Sequence, residues 1–243
     1  MSVPPRQLSD IVERIREEFG ISISRWTLRN LLRSLGYKWK RIRKSLKSKR
    51  DERTFFQFQK RLKYWQKRAD KGKLDLYYYD EAAFNLIPSI PYAWQKKKEQ
   101  VEIFMQRGAN YTVLGFMNKQ LDFHPFIQNG STNTEDVIYC IDQFCQQNRK
   151  SKPIQHKTIL ILDNAPTHTS RQFKSRIRSW KRKGLRIEFL PKYAPELNRI
   201  EILWRFIKYK WLPFEAYSCK QSLFKELVFI LNNVGSKYLI NFS

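Results

Sequence analysis

Thr158-Ile159-Leu160-Ile161-Leu162-Asp163-Asn164 is a short apolar run that ends on a carboxylate. A stretch this short, rich in Ile and Leu, suits a strand buried on both faces, the kind found in sheets covered by helices. Asp163 then falls at the C-terminal end of the strand, where open α/β sheets present their ligand sites. Upstream the pattern repeats: Leu74-Asp75-Leu76-Tyr77-Tyr78-Tyr79 runs straight into Asp80-Glu81. Two Asp side chains at the same end of neighbouring strands repel each other. A hard divalent cation such as Mg²⁺ relieves that repulsion through carboxylate oxygens. The plain alternative is that each Asp caps the helix that follows it.

Outward from these runs the texture stays regular. Tyr111 to Met117 and Leu121 to Ile127 read as strands joined by Asn118-Lys119-Gln120. Thr134 to Gln147 is helical by pattern, Ser170 to Lys183 is a basic helix, and Leu185 to Leu190 is another strand. Glu196 to Trp211 and Gln221 to Asn232 read as helices. Three strands followed by alternating helices and strands predict an α/β domain over 73–243, a mixed sheet flanked by helices. Pro195 and Asn198 favour a turn and a helix start. Ile200, Leu203, Trp204 and Ile207 give the next helix an apolar face, with Glu201 beside it in the first turns. Glu201 could therefore point to the sheet edge; a solvated helix charge is the alternative.

The N-terminal third reads differently. Leu8, Ile11, Val12, Ile15 and Phe19 recur at helical spacing until Gly20. Ser24 is the expected N-cap of a second helix carrying Leu28, Leu31, Leu32 and Leu35, and Gly36 its stop. Two short helices around a tight turn predict a small all-α helix-turn-helix domain over 1–48. Arg25, Arg29 and Arg33 form one basic stripe suited to a major groove; an ordinary helical hairpin with a solvated basic face is the alternative. Lys38, Lys40, Arg41, Arg43 and Lys44 surround Trp39, a mixture that suits phosphate tracking. Residues 49–72 are expected to be a basic helical linker, with Phe55, Phe58, Leu62 and Trp65 on one side.

Lys and Arg number 47 against 22 Asp and Glu, a net +25. Residues 1–73 hold 22 of the basic and 7 of the acidic residues, so the excess concentrates at the N-terminal end. Such an excess repels itself unless a polyanion is near, and nucleic acid is the usual one. A ribosome-associated or membrane-surface protein is the blander reading of the charge. Three cysteines without a CxxC pair argue against a disulfide framework or a zinc ribbon. With no apolar run of membrane-span length and no signal-peptide core, the expectation is a soluble, intracellular protein with no membrane partner.

Three runs together carry a family resemblance. They are Tyr79-Asp80-Glu81-Ala82-Ala83-Phe84, Leu162-Asp163-Asn164-Ala165-Pro166-Thr167-His168, and Leu190-Pro191-Lys192-Tyr193-Ala194-Pro195-Glu196-Leu197-Asn198-Arg199-Ile200-Glu201-Ile202-Leu203-Trp204. In that order, with Glu201 following Asp163 by 38 residues, they resemble the mariner superfamily of DDE transposases, in its bacterial insertion-sequence branch. The stretch around Phe19-Gly20 and Leu31 to Tyr37 is similar to that family's winged helix-turn-helix.

The resemblance implies a ribonuclease-H-like fold and a transposase that cleaves DNA strands and transfers them. It implies Asp80, Asp163 and Glu201 as catalytic ligands of two Mg²⁺ ions, with Mn²⁺ as the substitute, and double-stranded DNA, both element ends and target, as partner. A homodimer on DNA is expected from it too. Asn164, His168 and Asn198 follow the family pattern around the ligands, and Glu81 adjoins the first Asp. Trp94 matches a family aromatic expected in the core. Lys96, Lys97 and Lys98 meet either DNA or solvent. Two departures stand out. Arg199 replaces the family's usual Pro, which stiffens a helix start, and relatives usually carry another helix-turn-helix upstream, so this chain is expected to be N-terminally incomplete. A truncated transposase that binds DNA without cutting it is therefore the competing reading. A ribonuclease-H-like nuclease of RNA–DNA hybrids is a third, against which the helix-turn-helix and the Asp163-to-Glu201 module argue.

Overall fold

The computed structural model describes residues 7–38, 47–88, 110–150 and 157–242. The chain divides into two compact units, Met1–Ser45 and Leu46–Ser243. In the first, α1 (Leu8–Phe19) and α2 (Arg25–Ser34) follow the sequence signals closely. Gly20 ends α1 at φ 67°, with its N–H donating to the Arg16 carbonyl, a left-handed ending that glycine adopts without a Cβ penalty. Ser24 caps α2, its Oγ accepting from the Thr27 N–H at 3.0 Å. Paired closing bonds, Gly36 N–H to Arg33 and Tyr37 N–H to Leu32, finish the helix. Arg25, Arg29 and Arg33 are exposed along α2, while Leu28 is buried. Lys38 is exposed as well. Lys40, Arg41, Arg43 and Lys44 lie outside the described residues, as do Trp94 and Lys96, Lys97 and Lys98.

The second unit is built on a five-stranded mixed sheet in the order β3-β2-β1-β4-β5. Its strands are β1 (Asp75–Asn85), β2 (Asn110–Met117), β3 (Phe123–Asn129), β4 (Thr158–Leu162) and β5 (Leu185–Phe189). β1, β2 and β3 pair antiparallel; β1, β4 and β5 run parallel. Side chains alternate across the sheet, so Tyr78 and Ile161 join one apolar cluster and Tyr77, Tyr79 and Leu160 the other. The first cluster is completed by α3 (Glu52–Asp70), α7 (Ile200–Phe206) and α8 (Lys220–Asn232). The second is completed by α4 (Thr134–Lys150) and α6 (Arg171–Arg182). All five residues of β4 are buried, as its apolar composition requires. The α/β class, the mixed sheet and the helices on its faces match the sequence reading.

Three local differences matter for the site. First, the segment 49–72 is not a free linker. Phe55, Phe58, Leu62 and Trp65 of α3 are buried in the same cluster as Leu76 and Ile159, because their spacing puts four large apolar side chains on one helix face. Second, β1 does not stop at Tyr79. It continues to Asn85 because Glu81 to Asn85 keep pairing with Leu114 to Asn110 of β2, whereas pairing with β4 ends at Tyr78 and Ile161. Third, the helix expected over Glu196 to Trp211 breaks into a 3₁₀ turn (Pro195–Leu197), α7, and a π turn (Ile207–Trp211). The break falls where Asn198 takes an extended backbone and sends its side chain to Tyr79, a local polar bond that competes with helix.

Replacing Phe58, 1 % exposed, by Ala should lower the stability of the larger unit by about 3–5 kcal/mol, read as a fall in the urea midpoint. A change of a few tenths would mean that α3 is only a tether.

Candidate active site

Asp80 lies inside β1, opposite Gly115 of β2 and two residues beyond the last pair with β4. It thus sits where the parallel neighbour has just run out. Its side chain shares the α7 face of the sheet, and Trp204 Nε1 donates to its Oδ2 at 3.1 Å. The indole reaches this position only because residue 115 is glycine. A Cβ there would stand 2.7 Å from the Trp204 ring and 2.9 Å from Phe123. Burial pushes the Asp80 carboxyl up to about 7, and the charges of Glu201 and Asp163 push the same way.

Asp163 is the first residue after β4. Its Oδ1 accepts from the Ala165 N–H at 2.9 Å and faces His168 Nδ1 at 2.7 Å. Neither bond involves Oδ2. His168 sits on the short helix α5 (Pro166–Thr169) and is 2 % exposed. Its Nε2 meets Glu81 Oε1 at 3.1 Å. Glu81 also receives the Thr132 hydroxyl at 2.6 Å and the Tyr79 hydroxyl at 3.0 Å. Burial alone would lower the His168 pKa, but its bonds to Asp163 and Glu81 outweigh that and raise it to about 9. A charged imidazole donating from both nitrogens follows. The bond to His168 in turn is the main cause holding Asp163 below the usual carboxylate range. Glu81 is also held low, burial being overcome by the His168 and Thr132 bonds.

Glu201 occupies the first turn of α7, its N–H bonded to the Asn198 carbonyl at 3.2 Å. Burial raises its pKa; the Arg205 charge opposes this and the Asp163 and Glu196 charges add to it. Two asparagines brace the scaffold. Asn198, 3 % exposed, donates from Nδ2 to the Tyr79 carbonyl at 3.0 Å, tying the turn before Glu201 to the peptide before Asp80. Its buried Oδ1 has no partner. Asn164 Nδ2 donates to the Leu190 carbonyl at 2.5 Å, fixing where the chain leaves β5.

The structure therefore brings Asp80, Asp163 and Glu201 into one charged neighbourhood. Glu81 points to the other face of the sheet and joins them only through His168. Among the described residues no three His, Cys, Asp or Glu side chains are arranged so that they could hold an ion as they stand. The donor chemistry nonetheless fits a divalent cation: hard oxygens, two of the three carboxyls with raised proton affinity, and Oδ2 of Asp163 outside the His168 contact.

Four residues of this neighbourhood escaped the sequence reading: Gly115, Thr132, Trp204 as a donor, and Lys208. Lys208 lies in the π turn, half-buried, 5.1 Å above the Phe84 ring. Burial lowers its pKa while the Asp80 charge opposes the loss of its proton. The signal for Trp204 and Lys208 was their spacing of three and seven from Glu201, which keeps them on one helix face. Nothing in the sequence marked Gly115 or Thr132.

A mixed sheet of this order, with Asp80 on its central strand, Asp163 just after β4 and Glu201 on the helix after β5, is of the ribonuclease-H-like class. The chain belongs to the DDE superfamily endonuclease family, which matches residues 75–224, and the winged helix-turn-helix family matches residues 6–62. The chain is 23 % identical over 197 residues to the insertion element IS630 uncharacterized 39 kDa protein of Shigella sonnei, covering 79 % of this chain. It spans 54 % of that relative's length. Its fold is similar to the Mos1 mariner paired end complex with Mn, at TM-score 0.61 and 15 % identity over 96 % of this chain and 73 % of that one. It is also similar to the Mos1 paired end complex with Mg, at TM-score 0.55 and 14 % identity over 95 % and 73 %. The family and the fold read from the three motifs are thus met.

Two outcomes test the local physics. Gly115→Ala should cost about 1–3 kcal/mol by overpacking, and Trp204→Phe in the same chain should recover part of it; thermal unfolding showing no recovery would place the clash elsewhere. The second concerns pH. A carboxyl whose folded pKa exceeds its unfolded value near 3.8 costs stability once the pH passes that value, and costs most above the folded pKa. In chelator, Asp80→Asn should therefore gain on the wild type as pH rises from 4 to 7 and then level off. The gain should be on the order of 4 kcal/mol. A gain independent of pH would remove the charge argument.

Proposed function

We propose that this chain is a transposase that cuts DNA strands at Asp80, Asp163 and Glu201 and transfers the freed 3′ end to target DNA. The observation that carries the reading is the Asp80 carboxyl: half-buried in the sheet, held by Trp204, and raised in pKa first by its desolvation and then by the charges of Glu201 and Asp163. Keeping a carboxyl in such surroundings costs stability, and a function that needs concentrated negative charge is the reason to retain it.

Each residue of the neighbourhood has a part. Asp80, Asp163 and Glu201 would hold two Mg²⁺ ions, with Mn²⁺ as substitute. When bound, such ions activate the attacking hydroxyl and stabilise the leaving oxygen of an in-line displacement at phosphorus. His168 and the Ala165 N–H orient Asp163, and Glu81 keeps His168 charged. Trp204 fixes Asp80. Asn198 holds the start of α7 at the height of Asp80. Lys208 brings a cation to a carboxylate cluster that must receive a phosphodiester.

DNA is the proposed partner throughout. Arg25, Arg29 and Arg33 on α2, with Lys38, Lys40, Arg41, Arg43 and Lys44 after it, would read or grip element ends. In that scheme 1–48 recognises DNA and 73–243 carries the chemistry, α3 being part of the larger unit's core. A dimer on paired ends and a cytoplasmic location belong to the same reading; no helix among the described residues is long and apolar enough to cross a membrane. A DNA-binding protein without catalysis is the rival, and the open arrangement of the three carboxylates is what favours it.

The deciding measurement is Mg²⁺-dependent nicking of a supercoiled plasmid carrying the element's ends. Asp163→Asn should lose at least about 100-fold in rate, the scale expected when a group stabilising the transition state is removed, while still binding DNA. Cleavage by the variant at the wild-type rate would refute the site, and an inactive wild type that binds the ends would support the rival.

A further inference from the structure

At the opposite end of the sheet from Asp80 and Asp163 lies a cleft of about 370 Å³. Lys73 leads into β1, Lys157 leads into β4, and Arg186 sits at the start of β5; Arg68 from α3 and Lys181 from α6 close the sides. No Asp or Glu lines it. Arg186 is paired with Glu188 at 2.5 Å, and Arg68 donates to the Tyr64 hydroxyl at 3.0 Å. Lys73, Lys157 and Lys181 are exposed and have no ion pair among the described residues.

Five cations around one concavity repel each other, and one neighbouring carboxylate does not balance them. Elsewhere in this unit Arg50 meets Glu52 and Glu196, and Arg176 meets Asp142. Here the wall is aromatic instead: Tyr64 is 56 % exposed beside Arg68, and the Arg186 guanidinium lies 6.0 Å from the Trp65 ring. Cations spread over several strand starts suit successive phosphates of a nucleic-acid backbone better than one small anion. Tyr64 adds a flat surface for a base or sugar.

Resting on the proposed function, we infer that this cleft seats the backbone of a DNA segment separate from the one held at the carboxylates. The separation follows from the strand. Lys157 and Asp163 bracket the five residues of β4 and so stand about 20 Å apart along the strand, and one phosphate cannot serve both ends. A transposase that brings several DNA segments together needs such a second anchor, with a grip indifferent to sequence.

The test uses the full chain in chelator, where no cleavage occurs, and a fluorescent duplex titrated across salt concentrations. Lys157→Ala/Lys181→Ala is compared with Lys225→Ala/Lys237→Ala, which removes the same charge elsewhere on the same unit; exposed substitutions of this kind leave folding nearly unchanged. The cleft pair should lose about tenfold in affinity, and its log–log salt slope should shrink by about 1–2. The control pair should change less than about twofold. Equal losses in both pairs, or none in the cleft pair, would overturn the assignment. Acetylation of Lys157 and Lys181, followed by mass spectrometry, adds a readout without mutation. Duplex should protect both lysines, and equal protection by millimolar inorganic phosphate would mean a small-anion site and would also overturn it. The comparison is made in chelator between two pairs of lysines outside the carboxylate site, so a failure of the catalytic reading leaves this result standing by itself.

Discussion

An ionisable carboxyl inside a β-sheet must either find partners or give up its charge, and Asp80 is in that position. It can stay because three features meet on it. Trp204 supplies a hydrogen bond from α7, Gly115 leaves the space for the indole, and the end of pairing with β4 opens the sheet beside it. None of these suffices alone. An indole without the glycine would clash with the strand, and a glycine without the indole would leave an unfilled gap over the sheet. The position of α7, and with it of Glu201, is thereby tied to the state of a single carboxyl.

The other face of the sheet handles charge by a different device. His168 is buried, yet its proton is kept by carboxylates on both sides, Asp163 and Glu81. The imidazole thus works as a strut with positive charge at its centre. It spans from the end of β4 to β1, and Thr132 and Tyr79 steady its far end through Glu81. One oxygen of Asp163 is held this way and the other is outside the contact. A carboxylate fixed through one oxygen has lost most of its rotational freedom, so the entropy of positioning is settled before any ligand arrives.

Much of this was legible beforehand, for physical reasons that differ by element. β4 announced itself because a strand buried on both faces is apolar apart from polar groups that find a partner, as Thr158 does in Asn148, and Asp163 followed as the place where that constraint ends. Ser24, Gly20 and Gly36 were readable because caps and left-handed endings admit few residue types. The unreadable parts are those in which one segment depends on a distant one. β1 passes through Asp80 because β2 goes on pairing with it, a fact held in residues 110–114. The four aromatic and aliphatic side chains of α3 showed an amphipathic helix but not which surface it covers, so a linker and a core helix looked alike. His168 was visible as a motif residue, yet its bond to Glu81 joins positions 87 residues apart. Gly115 carries no local signal at all, since its backbone is ordinary and only a ring from α7 forbids a side chain there.

The distribution of charge along the strand direction ties these features together. A chain of net +25 that places acids at one end of its parallel strands and, at the other, lysines with no ion pair among the described residues sets up a field along the sheet. A polyanion is drawn to the basic end without aid, whereas at the acidic end it is repelled until the carboxylate charge is neutralised. On the proposed function, docking at the basic end would precede engagement at the acidic one, and cation binding would govern only the second. Such an order would separate holding DNA from cutting it. The separation is built from where Lys157 and Asp163 stand on the same five-residue strand.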